Sequence, residues 1–514
     1  MNQWLLRHRG VIVACLAVAA LLGFGMAGTA HGIASGRIAY VWLLFVLCTA
    51  PLALMRTFSG RYLLLAFFMA LYFVRFAGLD AQAILEGAEK AAPLRKGFLS
   101  QAELAILLGG LLLSLGYVAA ARAGARRQQR TPADWSAAAT LLVGMASWLA
   151  GSVAFVTLHV FLEVEKTNLS ANKAIDTLGQ YGTIVVMLGF LLQPLGLLML
   201  SYAYARRRDL FHTVLIIAVV CIQLAIGFVT DYKATAMIGL LMVLLVRVLV
   251  DNKVSLPWLL GGVLFLTVAY PVFQAYRTEV TGERGLNRLQ AFERIGQVLE
   301  ISWTARNKAR ALPADERPPT LLQRSDLKTN VELLFAHAGV DVPFLHGSTL
   351  VAIPMAFVPR ILMPDKESVS VAQMFSRLIS HSGSDTFISI SHLGELYWNF
   401  GWLGVLLGMA ATGAFLGWVG GRFNFEHGPS LTYAMLFMVT VNEQVVLFEG
   451  EMAPAYVVWL RSAVAIWLLH QLFARGRSER AAQAAPPERA LPAPPRGTLA
   501  PPRLPVPRYP NILR

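Results

Sequence analysis

Two stretches stand apart from the rest of this chain: Gly347-Ser-Thr-Leu-Val-Ala-Ile-Pro-Met-Ala-Phe-Val-Pro-Arg-Ile-Leu-Met-Pro-Asp-Lys366 and, just beyond it, Leu393-Gly-Glu-Leu-Tyr-Trp-Asn-Phe-Gly401. The first lies in a proline-punctuated, amphipathic segment, residues 276–386; the second opens the apolar run that follows. On either side the sequence is one apolar helix after another. A membrane protein that keeps one large loop on one side concentrates its polar chemistry there, so the side on which this loop lies matters.

The class follows from composition. Of 514 residues, 56% are hydrophobic and 14% charged, and the mean hydropathy is +0.56. A bilayer core needs runs of about 20 apolar residues. Such runs occur near 11–28, 38–55, 62–79, 102–121, 135–161, 180–203, 213–230, 234–250, 257–275, 393–420, 430–448 and 454–473. The expected fold is an all-α polytopic membrane protein of about twelve transmembrane helices, nine of them within residues 1–275 and three within 387–474. The first 28 residues also fit a signal peptide, but the spans that follow favour a retained first helix.

Lys and Arg collect in alternate short connections, at Arg7 and Arg9, Arg56 and Arg61, Arg122 to Arg130, Arg206 to Arg208, Arg247 with Lys253, and Arg422. The opposite connections carry fewer, at Arg37, Lys90, Arg95, Lys96, Lys166, Lys173 and Lys233. The positive-inside rule then places both termini in the cytoplasm and the 276–386 loop outside, facing the periplasm or the cell exterior. The net charge of +14 is accounted for by these loops and by the Pro- and Arg-rich tail, residues 475–514, which reads as disordered. Nothing in it points to nucleic acid.

Several chemistries lack their residues. Cys15, Cys48 and Cys221 all lie in expected spans, so no disulfide framework or external thiol is foreseen. There is no HExxH helix and no Asp-x-Asp pair in the outer loops, so neither a metal nor another cofactor is expected. The cytoplasmic connections are too short to house a nucleotide-binding domain.

Within the loop, Leu286, Leu289, Phe292, Ile295, Leu299 and Trp303 recur at helical spacing, and a second helix is expected over Leu321 to His337. Ser348 to Val358 is apolar but too short to span, and is expected to lie along or dip into the outer surface. Arg277, Arg360, Lys366 and Lys233 are cations available at this boundary, with Asp365 beside Lys366. Guanidinium and ammonium groups suit a diphosphate, though each also suits interfacial anchoring. His392 and Glu395 share a helix face. Glu395 reads either as a general base or as a carboxylate at a helix N-terminus, and His337, His346 and His381 are further bases. Asn442, Glu443 and Gln444, with Glu449 and Glu451 beyond, read mainly as interhelical glue.

The order Gly-Ser-Thr, Ile-Pro, Pro-Arg-x-Leu-x-Pro-Asp-Lys and Gly-Glu-Leu-Tyr-x-Asn-Phe-Gly resembles the Wzy-type polymerases of O-antigen and exopolysaccharide repeat units. The resemblance is clearest over the loop and the tenth span, and weaker from Asp231-Tyr-Lys233 to Arg277; the paired Arg/Gly loop patterns of some members are absent. It implies a GT-C-like architecture and metal-independent transfer of a growing glycan from a polyprenyl-diphosphate-linked oligosaccharide. A flippase and a chain-length regulator are the implied partners, together with membrane lipids. By the same resemblance Arg277, Arg360 and Glu395 are catalytic and Lys366 meets substrate; Lys233, Asp365, His392, Tyr397 and Asn399 are expected to meet substrate beside them. An O-antigen ligase, or a transporter of lipid-linked oligosaccharides, is the alternative.

Overall fold

The computed structural model describes residues 7–58, 60–87, 99–126, 134–158, 180–230, 233–253, 321–355, 370–380, 388–425 and 430–474, with isolated positions between 255 and 304. Most of the expected span 257–275, the amphipathic segment 285–312 and the tail lie outside the described residues.

The described chain is helical. Its first eight long helices are α1 (Arg9–Ala30), α2 (Ser35–Leu54), α3 (Leu63–Glu86), α4 (Gln101–Arg126), α5 (Ala137–Val156), α6 (Gln180–Arg206), α7 (Leu210–Val229) and α8 (Lys233–Asp251). Two shorter helices follow, α9 (Lys328–His337) and α10 (Val371–Leu378), before α11 (Ser391–Arg422), α12 (Leu431–Glu449) and α13 (Met452–Phe473). Among the described residues, nine helices are long and apolar enough to cross a membrane, so this is a multi-pass membrane protein. Their ends are set by local chemistry. Ser136 caps α5 by accepting the Ala139 N–H at 2.9 Å, and Ser100 and Glu103 exchange hydrogen bonds as a capping box on α4. Gly87 ends α3 in the left-handed conformation.

Close helix pairs meet through glycine. Gly144 and Gly151 of α5 face Met199 and Gln193 of the antiparallel α6. Along α4 and the second half of α11, Leu113 meets Gly413, Tyr117 meets Gly417 and Ala121 meets Gly421, so these two helices run parallel.

The expected helix over Leu321 to His337 is two helices. Leu321–Ser325 stops, and Asp326 accepts the Thr329 hydroxyl at 2.6 Å, restarting the chain as α9. Lys328 then reaches between the helix ends, 2.6 Å from both Asp80 of α3 and Glu103 of α4, and lies over the Tyr40 ring of α2. Arg37 of α2 pairs with Asp80 as well. Burial alone would lower the Lys328 pKa, but Asp80 and Glu103 outweigh it and hold it above its ordinary value. As far as the Lys328 ammonium itself titrates, this contribution is fully present below its ordinary value of about 10.4 and is lost as pH rises through its raised folded value. Lys328→Met leaves the buried Glu103 without its cation and Asp80 with Arg37 alone, which costs about 3–5 kcal/mol. We expect a matching fall in thermal stability in detergent, with Lys328→Arg retaining most of it.

Two membrane helices are broken. As one rod, the 32 residues of α11 would measure about 48 Å, against a hydrocarbon core of about 30 Å. The chain bends at Gly401, with φ 59° and ψ −144°, and folds the Ser391–Phe400 turns back so that Gly404 and Gly408 pack against Leu396. Residues 402–422 then suffice to span about 31 Å. The expected continuous span 393–420 is thus corrected to a short N-terminal helix and a bent-off span. That backbone region is open essentially only to glycine. A Cβ at Gly401 would meet nothing closer than 3.8 Å, so Gly401→Ala isolates backbone strain from crowding. It is expected to lower stability by about 1–3 kcal/mol, read by thermal unfolding.

The second break ends α12, where a wide π-turn over Val441–Val445 passes into a tight 3-10 turn over Val446–Glu449. Such changes of winding leave carbonyls without helical partners. Arg75 of α3 supplies them, donating to the Val445 (3.3 Å) and Val446 carbonyls while pairing with Glu449 at 3.3 Å.

Candidate functional site

The two distinctive stretches of sequence bind each other. The Leu345 N–H donates to the Trp398 carbonyl at 2.9 Å, and the Trp398 indole returns a bond to the Pro343 carbonyl at 3.1 Å. Two residues on, the Gly347 N–H donates to Asn399 Oδ1 at 2.9 Å. The Thr349 hydroxyl donates to Glu395 Oε1 and accepts from Asn399 Nδ2, both at 2.8 Å. Asn399 also donates to the Glu395 carbonyl at 2.8 Å, which locks its amide against its own helix. Thr349, Glu395 and Asn399 are all buried, so every one of these groups needs the partner it has.

Glu395 serves a third element. Its Oε2 accepts the Met452 N–H at 2.7 Å, one of the unsatisfied donors at the start of α13. The preceding residue repeats the device: Glu451 accepts from the Ser370 hydroxyl and, at 3.2 Å, from the Ala372 N–H, so it holds the start of α10. Burial pushes the Glu451 carboxyl up in pKa, and the Ser370 hydroxyl with the Ala372 and Val371 N–H groups draws it back. The loop, α10, α11 and α13 are thereby joined through two carboxylates.

His392 lies behind this joint, fully buried, with its ring 4.9 Å from that of Phe448 and 6.3 Å from that of Tyr456. Neither ring nitrogen has a hydrogen-bond partner among the described residues. Tyr397 is buried, its ring stacked on Phe335 of α9 at 3.6 Å. The site residues His392, Glu395, Tyr397 and Asn399 therefore share one short helix, as their spacing implied. Lys233 begins α8, and its side chain is not described. Arg277, Arg360, Asp365, Lys366 and His381 lie outside the described residues. Of the remaining histidines, His337 pairs with Asp341 at 2.7 Å.

Beside the clamp runs a groove of about 870 Å³, within the range of ligand cavities. His346, Asn399 and Thr412 are polar residues of its lining, which is otherwise mainly apolar, with Leu350, Phe400, Leu403, Leu407, Phe415 and Met452 beside the Tyr456 ring. Leu403 and Leu407 are 67% and 68% exposed, and both belong to the span that follows the Gly401 bend. The groove therefore opens sideways, toward lipid. The bend creates it, because a straight α11 would carry Asn399 and Phe415 along one rod with no cleft between.

Sequence reading missed Thr349 as the partner of Glu395, and it missed Arg75 and the Lys328 anchor altogether. Among the described residues, no group of three His, Cys, Asp or Glu side chains is arranged to hold a metal ion. Set against known protein families, curated proteins and solved structures, the chain matches none.

Proposed function

We propose that this chain is a polymerase that joins polyprenyl-diphosphate-linked oligosaccharide repeat units into O-antigen or exopolysaccharide at the outer face of a bacterial inner membrane. The observation that carries the reading is a polar clamp, Thr349–Glu395–Asn399, seated at the head of an apolar groove that opens to lipid. An amphipathic substrate with a long prenyl tail and a sugar headgroup has this same division.

Diphosphate is a competent leaving group, so the transfer needs cations for its developing charge and a base for the acceptor hydroxyl. Arg277, Arg360 and Lys366 are assigned to the diphosphate, and no metal enters the scheme. Glu395, with both oxygens engaged, is assigned to hold the loop, α11 and α13 in register.

The helix directions support a twelve-span arrangement, which puts both termini on one side; that this side is the cytoplasm rests on the positive-inside pattern, and a GT-C-like architecture on the resemblance. Helices α4 and α11 run parallel, yet four helices of span length, α5 to α8, lie between them. Four crossings alone would leave α11 antiparallel to α4. One more crossing between Asp251 and Ser391 restores the direction, and residues 257–275 supply the apolar run for it.

The test is gel analysis of lipid-linked and surface glycans in a deletion strain complemented with wild type or Arg360→Ala. The expected result is single repeat units in the deletion, a restored ladder with wild type, and none with the membrane-inserted Arg360→Ala protein. A ladder in the deletion strain rejects the proposal. Long chains retained on the carrier would indicate a ligase, and repeat units trapped on the cytoplasmic leaflet a transporter.

A further inference from the structure

Three non-glycine residues have a positive φ among the described residues. Asn252 follows the end of α8, where Asn is at home. Ser391 opens the short N-terminal helix of α11. The third is His346, φ 48°, which with Gly347, φ 85°, forms the centre of a tight turn closed by the Ser348 N–H to the Leu345 carbonyl at 3.0 Å. Its two neighbours are pinned to α11, Leu345 through the Trp398 carbonyl and Gly347 through the Asn399 side chain. The residue between them is forced into a conformation that glycine or asparagine adopts more readily. Its imidazole is exposed, has no hydrogen-bond partner among the described residues, and lines the groove together with Asn399. A turn pinned on both flanks thus presents to the groove a polar side chain that the fold itself leaves unused.

The geometry points to His346 as the residue that contacts the phosphorylated headgroup of a prenyl lipid whose tail occupies the groove. This rests on the function proposed above, but adds a contact that the fold itself does not use. The imidazole donates to a phosphate oxygen from the mouth of the groove, while Phe400, Leu403 and Leu407 receive the chain. The headgroup is thereby fixed beside Asn399, at the end of the groove nearest the clamp.

The test is a binding titration of full-length protein in detergent with undecaprenyl diphosphate and, separately, undecaprenol. Wild type, His346→Ala and His346→Gly are compared, each with its melting temperature. Wild type is expected to prefer the diphosphate lipid. Both variants are expected to lose about tenfold of that preference, the scale of one hydrogen bond to a charged group, with undecaprenol binding unchanged. His346→Gly, which relaxes the strained φ, is expected to melt no lower than His346→Ala. Retained preference in both variants overturns the assignment and leaves the polymerase proposal standing. Loss in His346→Ala alone, together with a lower melting temperature, also overturns it, because the effect is then that of the backbone. If wild type binds neither lipid, the proposed function fails first and this contact with it.

Discussion

Gly417→Leu is expected to leave no assembled protein. Helices α4 and α11 approach backbone to backbone, and a Cβ built at Gly417 would sit 2.2 Å from the Tyr117 carbonyl oxygen. At Gly413 the corresponding distance to the Leu113 carbonyl is 2.0 Å, and at Gly116 it is 2.2 Å to that of Ala410. Carbon–oxygen contacts between packed helices settle at about 3.3–3.6 Å. Even alanine would therefore force the helices apart by about 1 Å. A leucine has no rotamer that avoids the neighbouring main chain, and the loss should exceed about 3 kcal/mol, the upper part of the usual overpacking range.

In lipid this loss is not recovered elsewhere. Apolar side chains gain nothing by leaving one hydrocarbon environment for another, so helices associate through close contact and hydrogen bonds. The α4–α11 seam also carries the span from which the N-terminal turns of α11 are bent, and with it the wall of the groove. Size-exclusion chromatography of a fluorescent fusion in mild detergent reads the outcome: loss of the monodisperse peak for Gly417→Leu. Gly124→Ala, whose Cβ would find its nearest neighbour at 3.7 Å, should elute as wild type. A normal peak for Gly417→Leu would mean the two helices can separate without consequence.

How much of this was legible in the sequence depends on range. Nine of the expected spans were, because length and apolarity are local; the runs at 180–203 and 234–250 also coincide with helices, and most of 257–275 lies outside the described residues. The glycine seam could have been read as well, since Gly413, Gly417 and Gly421 recur every four residues. So could the Ser100–Glu103 capping box. The bend in α11 could not, because an apolar run continues through Gly401 and only its φ distinguishes a hinge from a packing glycine. The Lys328 anchor was out of reach for another reason. Its partner Asp80 lies 248 residues away, and neither residue has a sequence context that announces the other. For the site, residue types and one helical face were legible, but not what they bind. The Gly-Ser-Thr and Gly-Glu-Leu-Tyr-x-Asn stretches look like two separate motifs in sequence, while in the fold they are two halves of one joint.

That joint makes Glu395 the position at which charge and connection can be separated. Glu395→Ala removes the acceptor for the Met452 N–H and for the Thr349 hydroxyl in a buried place. Each stranded donor costs about 1–3 kcal/mol, and together they should release the loop from α11 and the start of α13. Both stability and glycan ladder are expected to disappear. Glu395→Gln behaves differently. Its amide oxygen can still accept from Met452, and its NH2 can donate to Thr349, whose oxygen has a second acceptor site beyond that used by Asn399. Only the Thr349 hydroxyl proton loses its acceptor, at about 1–3 kcal/mol, so most of the joint survives with its charge removed. If Glu395 only connects, Glu395→Gln melts well above Glu395→Ala and restores the ladder in the deletion strain. If its carboxylate also takes the proton of the acceptor hydroxyl, the same folded variant falls by about 10²–10⁴ in rate, the usual contribution of a general base. The engagement of both oxygens, at 2.7 and 2.8 Å, and the nearly complete burial of the group favour the first outcome. A folded but inactive Glu395→Gln would move the acceptor sugar into this clamp, and would require the Thr349 bond to open during turnover.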